Sequence, residues 1–126
     1  MIIREYNFSA LLIEDNEIIG DLMLRRLQKL FKECHWARSA EDGLQIWKTS
    51  LTEVIIVDQL LPGMLGSEFV SLVRASGCNV PILGITASAM GSEIDDLERA
   101  GATRATSKPI SMSTLISFCE MYIKSD

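Results

Sequence analysis

The sequence contains no apolar run long enough to cross a bilayer; its clearest one, residues 54–57, is the length of a short strand. Met1-Ile2-Ile3-Arg4-Glu5 lacks the basic flank and long apolar stretch of a secretory signal, so the cytoplasm is the expected compartment, with no membrane partner. Lys/Arg clusters longer than Arg25-Arg26 are missing, and the net charge is −5 at pH 7. An acidic surface repels phosphate backbones, which argues against direct nucleic-acid binding. The three cysteines, Cys34, Cys78 and Cys119, are odd in number, widely spaced and form no CxxC pair. That argues against a disulfide framework or a zinc site and leaves buried, reduced thiols as the expectation. Histidine occurs once, as His35, with no Ser or Cys spaced to partner it, so it is not read as a catalytic or phospho-accepting group. Repeats, low-complexity tracts and linker-like stretches are also missing, and residues 1–126 read as a single domain.

Hydrophobic residues at 48% against 23% charged are enough to build one core in a chain of 126 residues. Short apolar runs alternate with segments of helical period. Residues 10–13 form a run that stops at Glu14-Asp15-Asn16, as a buried parallel strand would. Residues 17–31 carry Ile19, Met23, Leu27 and Leu30 at helical spacing, with Asn16 as N-cap. A weaker strand is expected at residues 35–38, and Ser39 to Asp42 resembles a capping box opening a helix with Ala40, Leu44 and Trp47 on one face. Residues 54–57 are β-branched throughout and end at Asp58. A helix over 67–75 is expected to turn Phe69, Leu72 and Val73 inward. A strand over 81–85 ends at Thr86, and a helix bearing Met90, Ile94 and Leu97 closes at Gly101. A strand over 103–107 leads to Lys108-Pro109, and a last helix from Ser111 carries Met112, Leu115, Cys119 and Tyr122. Trp36 and Trp47 are read as packing residues.

Five strand–helix pairs in strict alternation predict an α/β fold with a parallel sheet covered on both faces. The right-handed crossover rule favours the flavodoxin-like (βα)5 doubly wound arrangement, with strand order 2-1-3-4-5. Ligands of such sheets collect beyond the carboxyl ends of the strands. Those ends carry Glu14 and Asp15, Asp58, Thr86, and Lys108. Clustered carboxylates need a compensating cation, and hard oxygen ligands suit Mg²⁺, which accepts one or two carboxylates plus a phosphate. Lys108 offers a charge and Thr86 a hydroxyl to a phosphoryl group, and Asp58 can act as a carboxylate nucleophile.

At these residues the chain resembles the receiver domains of bacterial two-component response regulators. The likeness rests on Leu11-Leu12-Ile13-Glu14-Asp15-Asn16, Ile55-Ile56-Val57-Asp58 with Leu61-Pro62-Gly63-Met64, Ile85-Thr86-Ala87, and Gly101-Ala102 through Lys108-Pro109. It implies that Asp58 is phosphorylated by a histidine kinase or a histidine phosphotransfer protein. It also implies that Asp15 binds Mg²⁺ directly, that Glu14 assists through water, and that the Leu60 carbonyl completes the metal shell. Thr86 and Lys108 would contact the phosphoryl group, and the Lys108-Pro109 peptide would be cis. Such a domain is a signalling phospho-acceptor and not a turnover enzyme. Its output surface is expected on the fourth helix, fifth strand and start of the fifth helix, at Met90, Ile94, Arg104, Thr106 and Met112.

Three positions depart from the family pattern. Ala105 stands where an aromatic residue usually answers the threonine, so output would rely on backbone shifts around Met90. Leu60 replaces a residue that is often polar, and Leu65 one that is acidic or amide. A haloacid-dehalogenase-type phosphatase would need a second Asp at the Leu60 position, and a flavodoxin's phosphate loop would be repelled by Glu14-Asp15. A degenerate receiver that binds partners without phosphorylation is the remaining alternative. Both a complete single-domain regulator and part of a larger regulator or hybrid kinase fit this sequence.

Overall fold

The computed structural model describes residues 6–88 and 91–123. In chain order the elements are β1 (Tyr6–Ile13), α1 (Glu17–Gln28), β2 (Phe31–Ala37), α2 (Ala40–Thr49), β3 (Val54–Asp58), α3 (Gly66–Ala75), β4 (Ile82–Thr86), α4 (Ser92–Ala100), β5 (Arg104–Ser107) and α5 (Met112–Tyr122). The strands form one parallel sheet in the order β2-β1-β3-β4-β5, the flavodoxin-like order. Side chains alternate across the sheet, which gives two cores. Leu12, Ile56 and Ile85 pack with Met23 and Leu27 of α1 and Leu115 and Phe118 of α5. Leu11, Ile13, Ile55 and Val57 pack on the other face with Phe69 and Val73 of α3 and Leu97 of α4. β3 and β4 are buried along their whole length because helices cover both of their faces.

Helix ends follow the local chemistry. Asn16 Oδ1 accepts from the Ile19 N–H at 2.9 Å, Ser39 Oγ from Asp42 at 3.1 Å, and Ser111 Oγ from Thr114 at 3.1 Å. Gly101 closes α4 at φ 119°, in the left-handed region. No helix among the described residues is long and apolar enough to cross a membrane.

Several local expectations are corrected. α1 ends at Gln28, because Phe31 instead opens β2 and pairs with Tyr6, their rings 5.7 Å apart. β2 therefore starts well before the weak strand expected near His35, and β1 extends back to Tyr6. Leu72 does not point inward and is 47% exposed. The buried face of α3 is Phe69, Val70 and Val73, and at about 100° per residue Leu72 falls roughly a quarter-turn away from it. Of the three cysteines only Cys119 is buried; Cys34 and Cys78 are half-buried, and none is in a disulfide. Met90, expected on the fourth helix, lies outside the described residues.

Candidate functional site

β1 and β3 are adjacent, with Ile13 opposite Val57, so Glu14 and Asp58 leave the sheet side by side. The Glu14 peptide is held from β2: its N–H donates to the Ala37 carbonyl at 3.0 Å, and its carbonyl accepts from the Trp36 indole N–H at 2.9 Å. This anchoring accompanies a side chain that is fully buried, whereas Asp15 next to it is exposed. The Trp36 ring lies over Gly20 of α1, where an added Cβ would come within 2.1 Å of it. Arg38 lies over that ring, 3.7 Å from its centroid, and pairs with Glu17 through two hydrogen bonds. The Arg38 hydrogen bond holds the Glu17 carboxyl below its ordinary value, against the opposing effect of desolvation.

Lys108 enters from the loop after β5, whose strand register is continued by a 2.7 Å hydrogen bond from the Lys108 N–H to the Thr86 carbonyl. Its ammonium lies 2.7 Å from Glu14 Oε1 and 2.9 Å from Asp58 Oδ2, with side-chain exposures of 12%, 0% and 4% respectively. Burial works to lower the Lys108 pKa, but hydrogen bonds and charge attraction from Glu14 and Asp58 outweigh it and hold the group above its ordinary value. The Lys108-Pro109 peptide is cis, as the family resemblance implies.

The loop beyond Asp58 is fitted closely to it. The Gly66 N–H donates to the Gln59 carbonyl at 2.9 Å, and a Cβ on Gly66 would sit 2.1 Å from the Asp58 carbonyl oxygen. The buried Gln59 side chain grips Ser67 twice, accepting from its N–H at 2.8 Å and donating to its hydroxyl at 3.2 Å. Leu60 follows with its side chain over half exposed. Thr86 is fully buried; its hydroxyl donates to Glu93 Oε1 and accepts from the Ser88 N–H at 3.2 Å.

Oxygen atoms of Glu14, Asp15 and Asp58 lie within 4.8 Å of one another. Three carboxylates against one ammonium leave two uncompensated negative charges, which is the charge of one divalent cation. Among the described residues, Glu14 Oε1 is buried with Lys108 as its polar contact and no further hydrogen-bond donor. An all-oxygen donor set of this kind fits Mg²⁺. Glu14, which the family resemblance implies assists the ion through water, is in direct contact with Lys108.

Of the residues expected from sequence, Glu14, Asp15, Asp58 and Lys108 therefore converge, and Thr86 lies at the adjacent strand end. Glu93 and Trp36 take part in ways the sequence reading did not assign. An acidic residue in a helix's first turn ordinarily complements the helix dipole, and only the fold shows Glu93 reaching Thr86.

A doubly wound sheet whose carboxyl edge gathers acids around a lysine defines a class of domain suited to handling a phosphoryl group with a divalent cation. The chain matches the response regulator receiver domain model over residues 10–120 and belongs to that family. It is 34% identical over 110 residues to hybrid signal transduction histidine kinase G of Dictyostelium discoideum, covering 83% of this chain and 3% of that protein. It is 36% identical over 110 residues to the uncharacterized transcriptional regulatory protein YrkP of Bacillus subtilis, covering 86% of this chain and 46% of that protein. The chain thus spans less than half of these curated relatives. Among solved structures, chemotaxis response regulator CheY4 of Vibrio cholerae superposes with a TM-score of 0.81 at 26% identity, covering 91% of this chain and 98% of that one. The signal receiver domain of an HD domain-containing protein from Pseudomonas fluorescens Pf-5 superposes with a TM-score of 0.85 at 21% identity, covering 93% and 94%, and adds support for the fold.

Proposed function

We propose that residues 1–126 act as one phospho-accepting switch, with Asp58 as the acceptor and a histidine kinase or histidine phosphotransfer protein as donor. The observation that carries this reading is the Lys108 ammonium bridging the buried carboxylates of Asp58 and Glu14. An Asp58 carboxylate oxygen attacks phosphorus; the bond from phosphorus to the donor imidazole nitrogen breaks, and that nitrogen keeps the electron pair. The product is an acyl phosphate. Lys108 exchanges its contact with Asp58 for one with a phosphoryl oxygen and offsets the charge that accumulates there. Asp15, Asp58 and Glu14, with the backbone carbonyl of Leu60, are the residues that would hold Mg²⁺. When bound, the ion would neutralise phosphoryl oxygens and bring the anionic donor towards the acidic pocket.

The docking side for a donor is apolar and open. Ile18 and Leu22 of α1 are exposed, and a cleft lined by Ile19, Leu22, Met23, Pro109 and Ile110 runs up to Lys108. Output is assigned to the face of α4, β5 and α5, where Ile94, Thr106 and Met112 are half-buried and Arg104 is exposed, with Met90 nearby in sequence. Arg104 donates to the Tyr122 hydroxyl there at 2.7 Å. The working compartment is the cytoplasm. Incubation with acetyl phosphate, read by intact-mass spectrometry, tests the reading. One phosphoryl group gained with Mg²⁺, and none with EDTA or in Asp58→Asn, is the expected result; equal labelling of Asp58→Asn would overturn it.

A further inference from the structure

We infer that Glu93 is a positioning residue for the phosphoryl switch: it holds the Thr86 hydroxyl proton until a phosphoryl group on Asp58 takes it. The inference rests on the phospho-acceptor reading above and deepens it.

Three observations lead there. A threonine hydroxyl has one proton to donate. Here that proton is committed to Glu93 Oε1, while the oxygen accepts from the Ser88 N–H. Thr86 is fully buried, so its hydroxyl is shielded from bulk solvent. Glu93 sits in the first turn of α4, and the hydrogen bond therefore ties the end of β4 to the start of that helix. A second carboxylate further along α4 ties that helix to β5, Glu98 Oε2 accepting from the Ala105 N–H at 3.2 Å.

Asp58 and Thr86 end adjacent strands, with Asp58 opposite Ile85. A phosphoryl oxygen on Asp58 and the Glu93 carboxylate are then competing acceptors for one proton. When the phosphoryl group wins, Thr86 leaves Glu93 and the start of α4 loses its tether. This supplies a coupling route through a side chain at a place where Ala105 is too small to answer Thr86. The hydrogen bond to a charged acceptor is the kind strong enough to bias two conformers. The bias is testable because removing the acceptor frees the proton without touching Glu14, Asp15, Asp58 or Lys108.

Phosphorylation rates with acetyl phosphate and Mg²⁺ decide the matter, measured by intact mass for wild type, Glu93→Ala, Glu93→Gln, Thr86→Ala and the double variant Glu93→Ala/Thr86→Ala. Amide NMR of the same proteins before phosphorylation checks folding and follows Ser88 and Ala105. Glu93→Ala should be phosphorylated about tenfold faster, the size expected for loss of a charge-assisted hydrogen bond that opposes the competent state. Glu93→Gln keeps a neutral acceptor and should fall between. In the Thr86→Ala background, Glu93→Ala should change the rate less than about twofold, because the partner it acts through is gone. Unphosphorylated Glu93→Ala should also show its Ser88 amide resonance shifted towards the phosphorylated wild-type position. A Glu93→Ala rate equal to wild type, or an undiminished effect in the Thr86→Ala background, overturns the latch alone. Failure of wild type and every variant to gain a phosphoryl group overturns the phospho-acceptor reading, and the latch with it.

Discussion

Replacing Lys108 with Met keeps most of the side-chain volume and deletes the charge between Glu14 and Asp58. The two carboxylates, 0% and 4% exposed, would then face each other and Asp15 with no cation. Breaking a buried ion pair from one side costs about 3–5 kcal/mol, because the remaining charge stays desolvated. Asp15 beside the pair is open to solvent, which places the loss towards the lower end of that range, about 3–4 kcal/mol. In a domain of this size that lowers Tm by roughly 10–20 °C. Magnesium should restore much of it, since the variant presents a more negative pocket and ligand binding to the folded state adds stability in proportion to the logarithm of concentration over Kd. Thermal unfolding with EDTA and with a Mg²⁺ series reads both effects. A Lys108→Met variant within about 1 kcal/mol of wild type in EDTA, or one whose Tm ignores Mg²⁺, would refute the claim that this ammonium balances a buried acidic pocket.

Gly66→Ala places a Cβ against the Asp58 carbonyl and should cost about 1–3 kcal/mol by urea denaturation while slowing phosphorylation, because the backbone of the acceptor must shift. Trp36→Phe retains a ring beside Gly20 but leaves the Glu14 carbonyl without its indole donor; a loss of about 1–3 kcal/mol is expected in the same assay. The Glu17–Arg38 pair sets a pH dependence whose sign is fixed by the lowered Glu17 pKa. Its stabilising contribution is present above the ordinary value of 4.5 and is lost as pH falls through the lowered folded value. Arg38→Met should therefore raise the Glu17 midpoint in an NMR titration; an unchanged midpoint would show that the pair is not formed in solution. Both groups are solvent-exposed, so the effect on overall stability should be small.

The reach of the sequence differs between the sheet and its surroundings. Buried parallel strands such as Val54–Asp58 announce themselves because both faces must be apolar, and their abrupt polar ends then locate Glu14, Asp58 and Thr86. Strand β2 lies at the sheet edge, where only its two end residues, Phe31 and Ala37, are buried and the apolar pattern is weak, and Phe31 at its start extends an apolar period that belongs to α1. Leu72 shows the same limit on a helix: its apolar character fits the inward set, yet the axis of α3 is turned so that Val70 takes that place. The contacts that tune the site lay further out of reach. Glu93 draws no assignment from the sequence, and Trp36 reads as a packing residue, until the fold brings the Thr86 hydroxyl and the Glu14 carbonyl to them.

The most direct test of the account is to locate the phosphoryl group. Protein treated with acetyl phosphate and Mg²⁺, reduced with borohydride and digested, yields homoserine wherever an aspartate carried an acyl phosphate, and tandem mass spectrometry reads the position. Homoserine at residue 58 alone, lost in Lys108→Met or in EDTA, is the predicted result. Homoserine at residue 15, or a stable phosphoryl group on a hydroxyl or on His35 with residue 58 unmodified, would contradict it.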